Sequence, residues 1–419
     1  MLRFASSPTS DMSIDSMRLA LINYIVSRQK NEQFIVRIED IDKEHLIEGM
    51  DQEILDLLKK FAIEQDQLFY QSDTLGRHQQ FALSLMAQKK AFACICATES
   101  CAGACLYDQE RIAAHIKTEN LPYVIRIKQP KESIKFVDAL RGEIITDPHE
   151  IGSFVILQAD GTPTHTFATA CDDMLANISL IVRSQTDIHH APLQIHIQHA
   201  LGYTAPMAFA HLPTLCHASE DETGNHNGEN TIKWLLTEGF LLDTIINYLL
   251  LMGNKTPTEI FTLPEAIEWF TLENLSQIPA TFDIQKLCFL NRAHLGAMED
   301  ITLSRIFGFA DADIGKLLKL YLDEASTINE LERTIKAIFA PKECSPEMQT
   351  IATLIQDAPM FEAFDDLQQY SVDQSGIEKE KLSTSLRLLM TGAQNGPKLS
   401  DIYPLIKPYI TEIARCISC

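Results

Sequence analysis

Residues 2–42, LRFASSPTSDMSIDSMRLALINYIVSRQKNEQFIVRIEDID, switch between two periodicities. Leu2, Phe4 and Ala5 begin an apolar, strand-like run that gives way to a turn rich in Ser, Pro, Thr and Asp. From about residue 16 to 31 the apolar positions take helical spacing, and QFIVRIEDID at 33–42 is again strand-like. Strand, helix and strand in that order make a βαβ unit, which predicts a parallel sheet with helices on its faces. The turn before the helix is where such folds hold phosphate, on the amides of a helix N-terminus. Here that turn carries Ser13, Asp15 and Ser16. A carboxylate there opposes an anion, so layout and residues disagree.

Helical patterns follow at about residues 43–63 and 75–90, then FACICATESCAGACLYDQE at 92–110 brings clustered cysteines. YVIRIKQP, IKFVDALRGEIIT and FVILQADGTPTHTFA supply further strands, and CHASEDETGNHNGEN at 216–230 reads as a polar loop. From about residue 231 the pattern is helical almost throughout. An α/β half followed by an all-α half is the architecture to expect.

The chain has 419 residues, enough for two to four compact units, with 46% hydrophobic and 22% charged residues. Its net charge of −22 repels polyanions and leaves nucleic-acid binding to local basic patches. No apolar run approaches the roughly 20 residues that span a bilayer. The opening MLRFASSPTSDM lacks the pattern of a secretory signal, and ten cysteines are too sparse for a disulfide scaffold. The expectation is a cytoplasmic protein without a membrane partner.

Five stretches carry a resemblance. They are RFASSPTSDMSIDSMRLALINYIVSRQ, FIVRIEDIDKEHLIEGMDQEILDLL, PTHTFATACDDMLANISLIVR, HLPTL with NTIKWLLTEGFLLDTIINYLLLMGNKTP, and LSTSLRLLMTG. In this order and spacing the chain resembles bacterial class I glutamyl-tRNA synthetases over essentially its whole length. The resemblance implies a Rossmann-type parallel sheet in two halves (1–70 and 156–220) around an inserted acceptor-end-binding-like domain (71–155). It also implies a stem-contact-like helical region (221–285), a helical anticodon-binding-like domain (286–419) and a monomer. The implied reaction joins glutamate to the α-phosphate of ATP, with Mg²⁺, and passes the glutamyl group to tRNA. Its rate would come from positioning and from groups that stabilise the phosphates.

Two phosphate-contacting motifs of that family are altered. Ser13 stands where the family has histidine and Asp15 where it has glycine, adding bulk and negative charge. Between His211 and Lys233 there is no lysine or arginine, and the family's two lysines fall at about Glu222 and Asn225. Loss of one preorganised donor costs about 2.7–4 kcal/mol; loss of both motifs would cost roughly 10⁴ in rate, allowing for non-additivity. These positions suggest a catalytically degenerate member that binds tRNA, glutamate or a partner enzyme of glutamyl-tRNA metabolism. The alternative is an active glutamate–tRNA ligase using other donors, such as Ser13, His217 or His226 with Mg²⁺.

Arg3, Ser7, Glu39 and Arg183 match the family's glutamate-binding positions, and His165 replaces a tyrosine there. The guanidinium groups would hold carboxylates and Glu39 would pair with the ammonium. Arg3 and Arg183 could instead form a structural cluster with Glu39, Asp40 or Asp42. Cys94, Cys96, Cys101 and Cys105 have spacing that suits tetrahedral zinc, and some family members carry zinc here; four reduced thiols are the other reading. Lys379, Lys381 and Arg387 are either tRNA-binding, as the resemblance implies, or an ordinary charged helix face. His189 and His190 are expected to diverge, and Glu220–Glu222 to be solvated.

Overall fold

The computed structural model describes residues 1–96, 105, 109–119, 121–216, 231–343 and 345–418. Two compact units emerge: Met1–Lys233 with Ile246–Phe282, and Trp234–Ile245 with Asp283–Cys419.

The first unit is built on parallel strands. β1 (Leu2–Ser6) pairs with β2 (Phe34–Ile38), and β2 with β3 (Gln67–Tyr70), all parallel. Every residue of β2 is buried, as the continuous apolar run of a central parallel strand requires. The helix Ile14–Gln29 makes the crossover between β1 and β2. The next helix is Met50–Lys60, shorter than the pattern at 43–63 suggests, because Gly49 sits at φ 80° and residues 43–45 and 48–49 are turns.

β9 (Leu180–Ser184) continues the layer beside β1, where the Ser179 amide donates to Met1 O at 3.0 Å, and pairs in parallel with β10 (Ala208–Leu212). Set side by side, the sheets β3-β2-β1 and β9-β10 make a doubly wound layer, and the order in which the chain visits the strands reverses between β1 and β9. Ligands of such sheets bind beyond the carboxyl ends of the strands at that reversal.

A second sheet, β4 (Ala91–Cys94), β5 (Val124–Ile127) and β8 (Phe154–Leu157), is antiparallel and packs with Phe167, Ala170 and Cys171. The hairpin of β6 (Ile134–Asp138) and β7 (Gly142–Thr146) joins the parallel layer instead, on the outer edge of β10. Phe136 packs edge-on against Phe209 there, with ring centroids 5.2 Å apart.

Among the described residues the second unit is helical apart from the short pair Lys342–Glu343 and Ile417–Ser418. Its helices have explicit starts: the Asp283 carboxylate accepts from the amides of Gln285 and Lys286, and Thr327 with Glu330 forms a capping box. At Gly315 a Cβ would meet the Asp300 backbone at under 2 Å, so only glycine lets the helices Asp300–Ile306 and Ala312–Leu320 approach so closely. One continuous core, including Leu317, Leu331, Ile351, Leu386 and Ile402, holds the unit together. No described helix is long and apolar enough to cross a membrane.

Candidate functional site

The strand reversal has two adjoining spaces. The first lies at the start of the helix Ile14–Gln29. Ser13 is its N-cap, its Oγ accepting from the Ser16 amide at 3.1 Å. The Asp15 carboxylate accepts from the Leu215 amide at 3.1 Å, across the crevice from the segment after β10. One turn on, Arg18 is buried and donates to Pro213 O (3.2 Å) and Met252 O (2.7 Å). Burial draws its pKa down to about 10, against the pull of Asp15. The space left between Asp15, Arg18, Leu19, Ser184, Leu212 and Pro213 is about 10 Å³. That is room for about one water. The carboxylate in the first turn of this helix is thus turned to the Leu215 amide.

The second space, of about 140 Å³, is a charged cavity. Arg3 donates to Asp173 through Nε and Nη2 (3.0 and 3.1 Å), and Arg37 donates to the same carboxylate at 2.6 Å. Arg37 also donates to Glu39 at 2.9 Å. On Glu39, His165 Nε2 lies 3.0 Å and Ser7 Oγ 3.4 Å from Oε2. Burial opposes its ionisation, yet the His165 bond and the Arg37 charge hold the Glu39 carboxyl well below its usual range. The bond to Glu39 raises the pKa of His165 in turn. Across the cavity, burial pulls His190 down to about 4, so that ring is neutral.

These contacts bear on two expectations. Arg3 neither pairs with Glu39, Asp40 or Asp42 nor stands open to a ligand's carboxylate through Nε; Asp173 claims it. Glu39 is engaged by Arg37, His165 and Ser7, so an ammonium would share its carboxylate with them. Arg37 and Asp173 were not legible as site residues, although a lone arginine inside the buried run FIVRI and the paired acids of CDDM are the signals that mark them.

Arg183 is held differently. Its Nε donates to His211 Nε2 and its Nη1 to Gln194 Oε1, both at 3.0 Å. Nη2 is buried with no hydrogen-bond partner, on a side chain that lines the cavity. Burial lowers the Arg183 pKa to about 10, still far above neutrality. A buried cationic donor on the cavity side can take an anion or a water.

Cys94, Cys96 and Cys105 bring their Sγ atoms within 4.8 Å of one another, with Cys96 and Cys105 3.4 Å apart. Tetrahedral zinc at about 2.3 Å from each thiolate separates sulfurs by about 3.8 Å, so the three fit as ligands. Cys101, Glu222, Asn225, His217, His226 and the run Glu220–Glu222 lie outside the described residues. Lys379 and Lys381 are exposed on the helix Lys379–Thr391 but stand about 200° apart around it. Arg387 is tied to Pro397 O at 3.0 Å, so the three do not share a face. His189 and His190 do not diverge: their rings lie 4.0 Å apart, because His189 precedes the helix that begins at His190.

A doubly wound sheet with an antiparallel insert, a βαβ start and a helical second unit defines a class I synthetase fold. Residues 1–289 match the family model of class I tRNA synthetases (E and Q), catalytic domain, and the chain belongs to that family. It is 47% identical to glutamate–tRNA ligase 2 of Sulfurovum sp., covering 99% of this chain and 100% of that protein. It is 42% identical to glutamate–tRNA ligase 1 of Nitratiruptor sp. at the same coverage. A glutamate tRNA ligase of Elizabethkingia meningosepticum, solved in complex with its amino acid, shares the fold with a TM-score of 0.81 at 21% identity, covering 99% of this chain and 98% of that one.

Proposed function

We propose that this chain is a glutamyl-tRNA synthetase-family protein that keeps a small-carboxylate pocket but does not activate glutamate with ATP. It acts as a cytoplasmic binding or regulatory protein toward tRNA, glutamate or a partner enzyme of glutamyl-tRNA metabolism. The observation that supports this reading is the bond from the Leu215 amide to the Asp15 carboxylate, which leaves about 10 Å³ at the strand reversal. Three cysteines at 94, 96 and 105 hold a structural zinc in this reading.

The test is glutamate-dependent ATP–pyrophosphate exchange in the presence of tRNA. Exchange lower by about 10⁴ than that of a relative that keeps both phosphate-contacting motifs is expected. Exchange within about tenfold of that relative overturns the reading. It would favour the second one, an active glutamate–tRNA ligase, for which the full-length identity to proteins of that name speaks.

A further inference from the structure

A chain of three buried groups runs from the β6–β7 hairpin to the carboxylate cavity. Asp138 is 1% exposed and accepts on Oδ1 from the amides of Leu140 (2.9 Å) and Arg141 (3.0 Å). Its Oδ2 accepts from the His211 amide at 3.0 Å and lies 2.6 Å from His211 Nδ1. His211 is fully buried, and its Nε2 lies 3.0 Å from Arg183 Nε. The Phe209 ring stacks on the imidazole at 5°, and the Arg183 guanidinium sits over the same ring at 5.7 Å.

The chemistry of arginine fixes the protons along this chain. A guanidinium nitrogen only donates, so His211 Nε2 has to accept and carries no proton. The remaining proton of the neutral ring is then on Nδ1, where it donates to Asp138. An imidazolium, or the other tautomer, would set an N–H against the Arg183 Nε–H. With Nε given to His211 and Nη1 to Gln194, the planar guanidinium has one orientation, and that orientation leaves Nη2 as the donor on the cavity side.

We infer that Asp138 and His211 are positioning residues: they hold Arg183 so that its Nη2 is presented to a carboxylate ligand in the cavity. The inference rests on the proposed retention of that pocket, but the proton arrangement does not. Gln194 supplies the second restraint on the same group. Neither His211 nor Asp138 lines the cavity, so their effect on a ligand passes through Arg183.

The first measurement is imidazole ¹⁵N NMR on the whole unliganded chain. The expected result assigns His211 as neutral, protonated at Nδ1 and bare at Nε2; a proton on Nε2 overturns the inference whatever the cavity binds. The second is calorimetry with L-glutamate and with glutarate, in a double-mutant cycle of His211→Phe and Arg183→Lys. The phenyl ring keeps the stack on Phe209 and removes the acceptor. In the Arg183 background His211→Phe is expected to weaken glutarate and glutamate at least tenfold; in the Arg183→Lys background it is expected to change affinity less than twofold. Equal effects in both backgrounds overturn the positioning role. If the unaltered chain binds neither ligand, the retained pocket fails and the NMR result alone judges the relay. Asp138→Asn with His211→Phe removes the uncompensated carboxylate and serves in the cycle if the single variant does not fold.

Discussion

Arg3 and Asp173, 170 positions apart, are joined by two parallel hydrogen bonds of 3.0 and 3.1 Å in the buried floor of the sheet. The first strand is thereby tied to the helix His165–Leu175 that follows the insert. Arg37 adds a third bond to the same carboxylate, so one anion serves two buried cations.

Asp173→Ala is therefore expected to cost about 3–5 kcal/mol, because it removes the carboxylate that Arg3 holds with two bonds and leaves Arg37 with Glu39 alone among the acids. Urea unfolding measures it. A loss below about 1 kcal/mol would mean that the cluster contributes little to holding the two halves of the sheet.

The His165–Glu39 contact sets a pH window. His165 is raised above its ordinary 6.5, so its contribution is complete below that value and fades as pH rises through the folded pKa. Glu39 is depressed below its ordinary 4.5, so its contribution is complete above that value and fades as pH falls through the folded pKa. The pair stabilises most between about pH 4.5 and 6.5. The difference in melting temperature between the unaltered chain and His165→Ala should peak there. Because the imidazole is exposed, the peak should be worth less than about 1 kcal/mol; a pH-independent difference would refute the pairing.

Asp15→Gly removes the carboxylate from the crevice together with its bond to Leu215. A stability loss of about 1–2 kcal/mol is expected, while Asp15→Asn, which keeps an acceptor, should lose less. Calorimetry with Mg-ATP should register no binding to the unaltered chain and measurable binding to Asp15→Gly. Micromolar binding by the unaltered chain would sink the occlusion argument.

Elemental analysis should find about one zinc per chain, falling below about a tenth in Cys96→Ser. Chelator should lower the melting temperature of the unaltered chain and leave that of Cys96→Ser unchanged. A metal-free chain with three titratable thiols would return the cluster to reduced cysteines.

The fold was legible because its signals are local. Continuous burial of FIVRI, the helical spacing after Ser13 and the unbroken helical pattern past residue 231 each follow from residues within one element. The site was legible only in part. Arg3, Glu39, His165 and Arg183 do line one cavity, but who holds whom depends on partners more than 100 positions away, such as Asp173 for Arg3 and His165 for Glu39. Asp138 and His211 carry no sequence pattern that links them; β6 and β10 become neighbours only once the hairpin leaves the insert and joins the parallel layer. The zinc reading stood on spacing and on the resemblance, and the three sulfurs among the described residues converge.

The Asp15 carboxylate is covalently part of the chain whose Leu215 amide it reaches. A dissolved anion seeking that amide competes with a tethered rival rather than with water. Tethering can raise the effective concentration of a well-placed group far beyond that of any solute. More nucleotide in the surroundings is thus a weak remedy, and the amide proton of Leu215 should exchange slowly in the protein alone, as if a guest were always in residence.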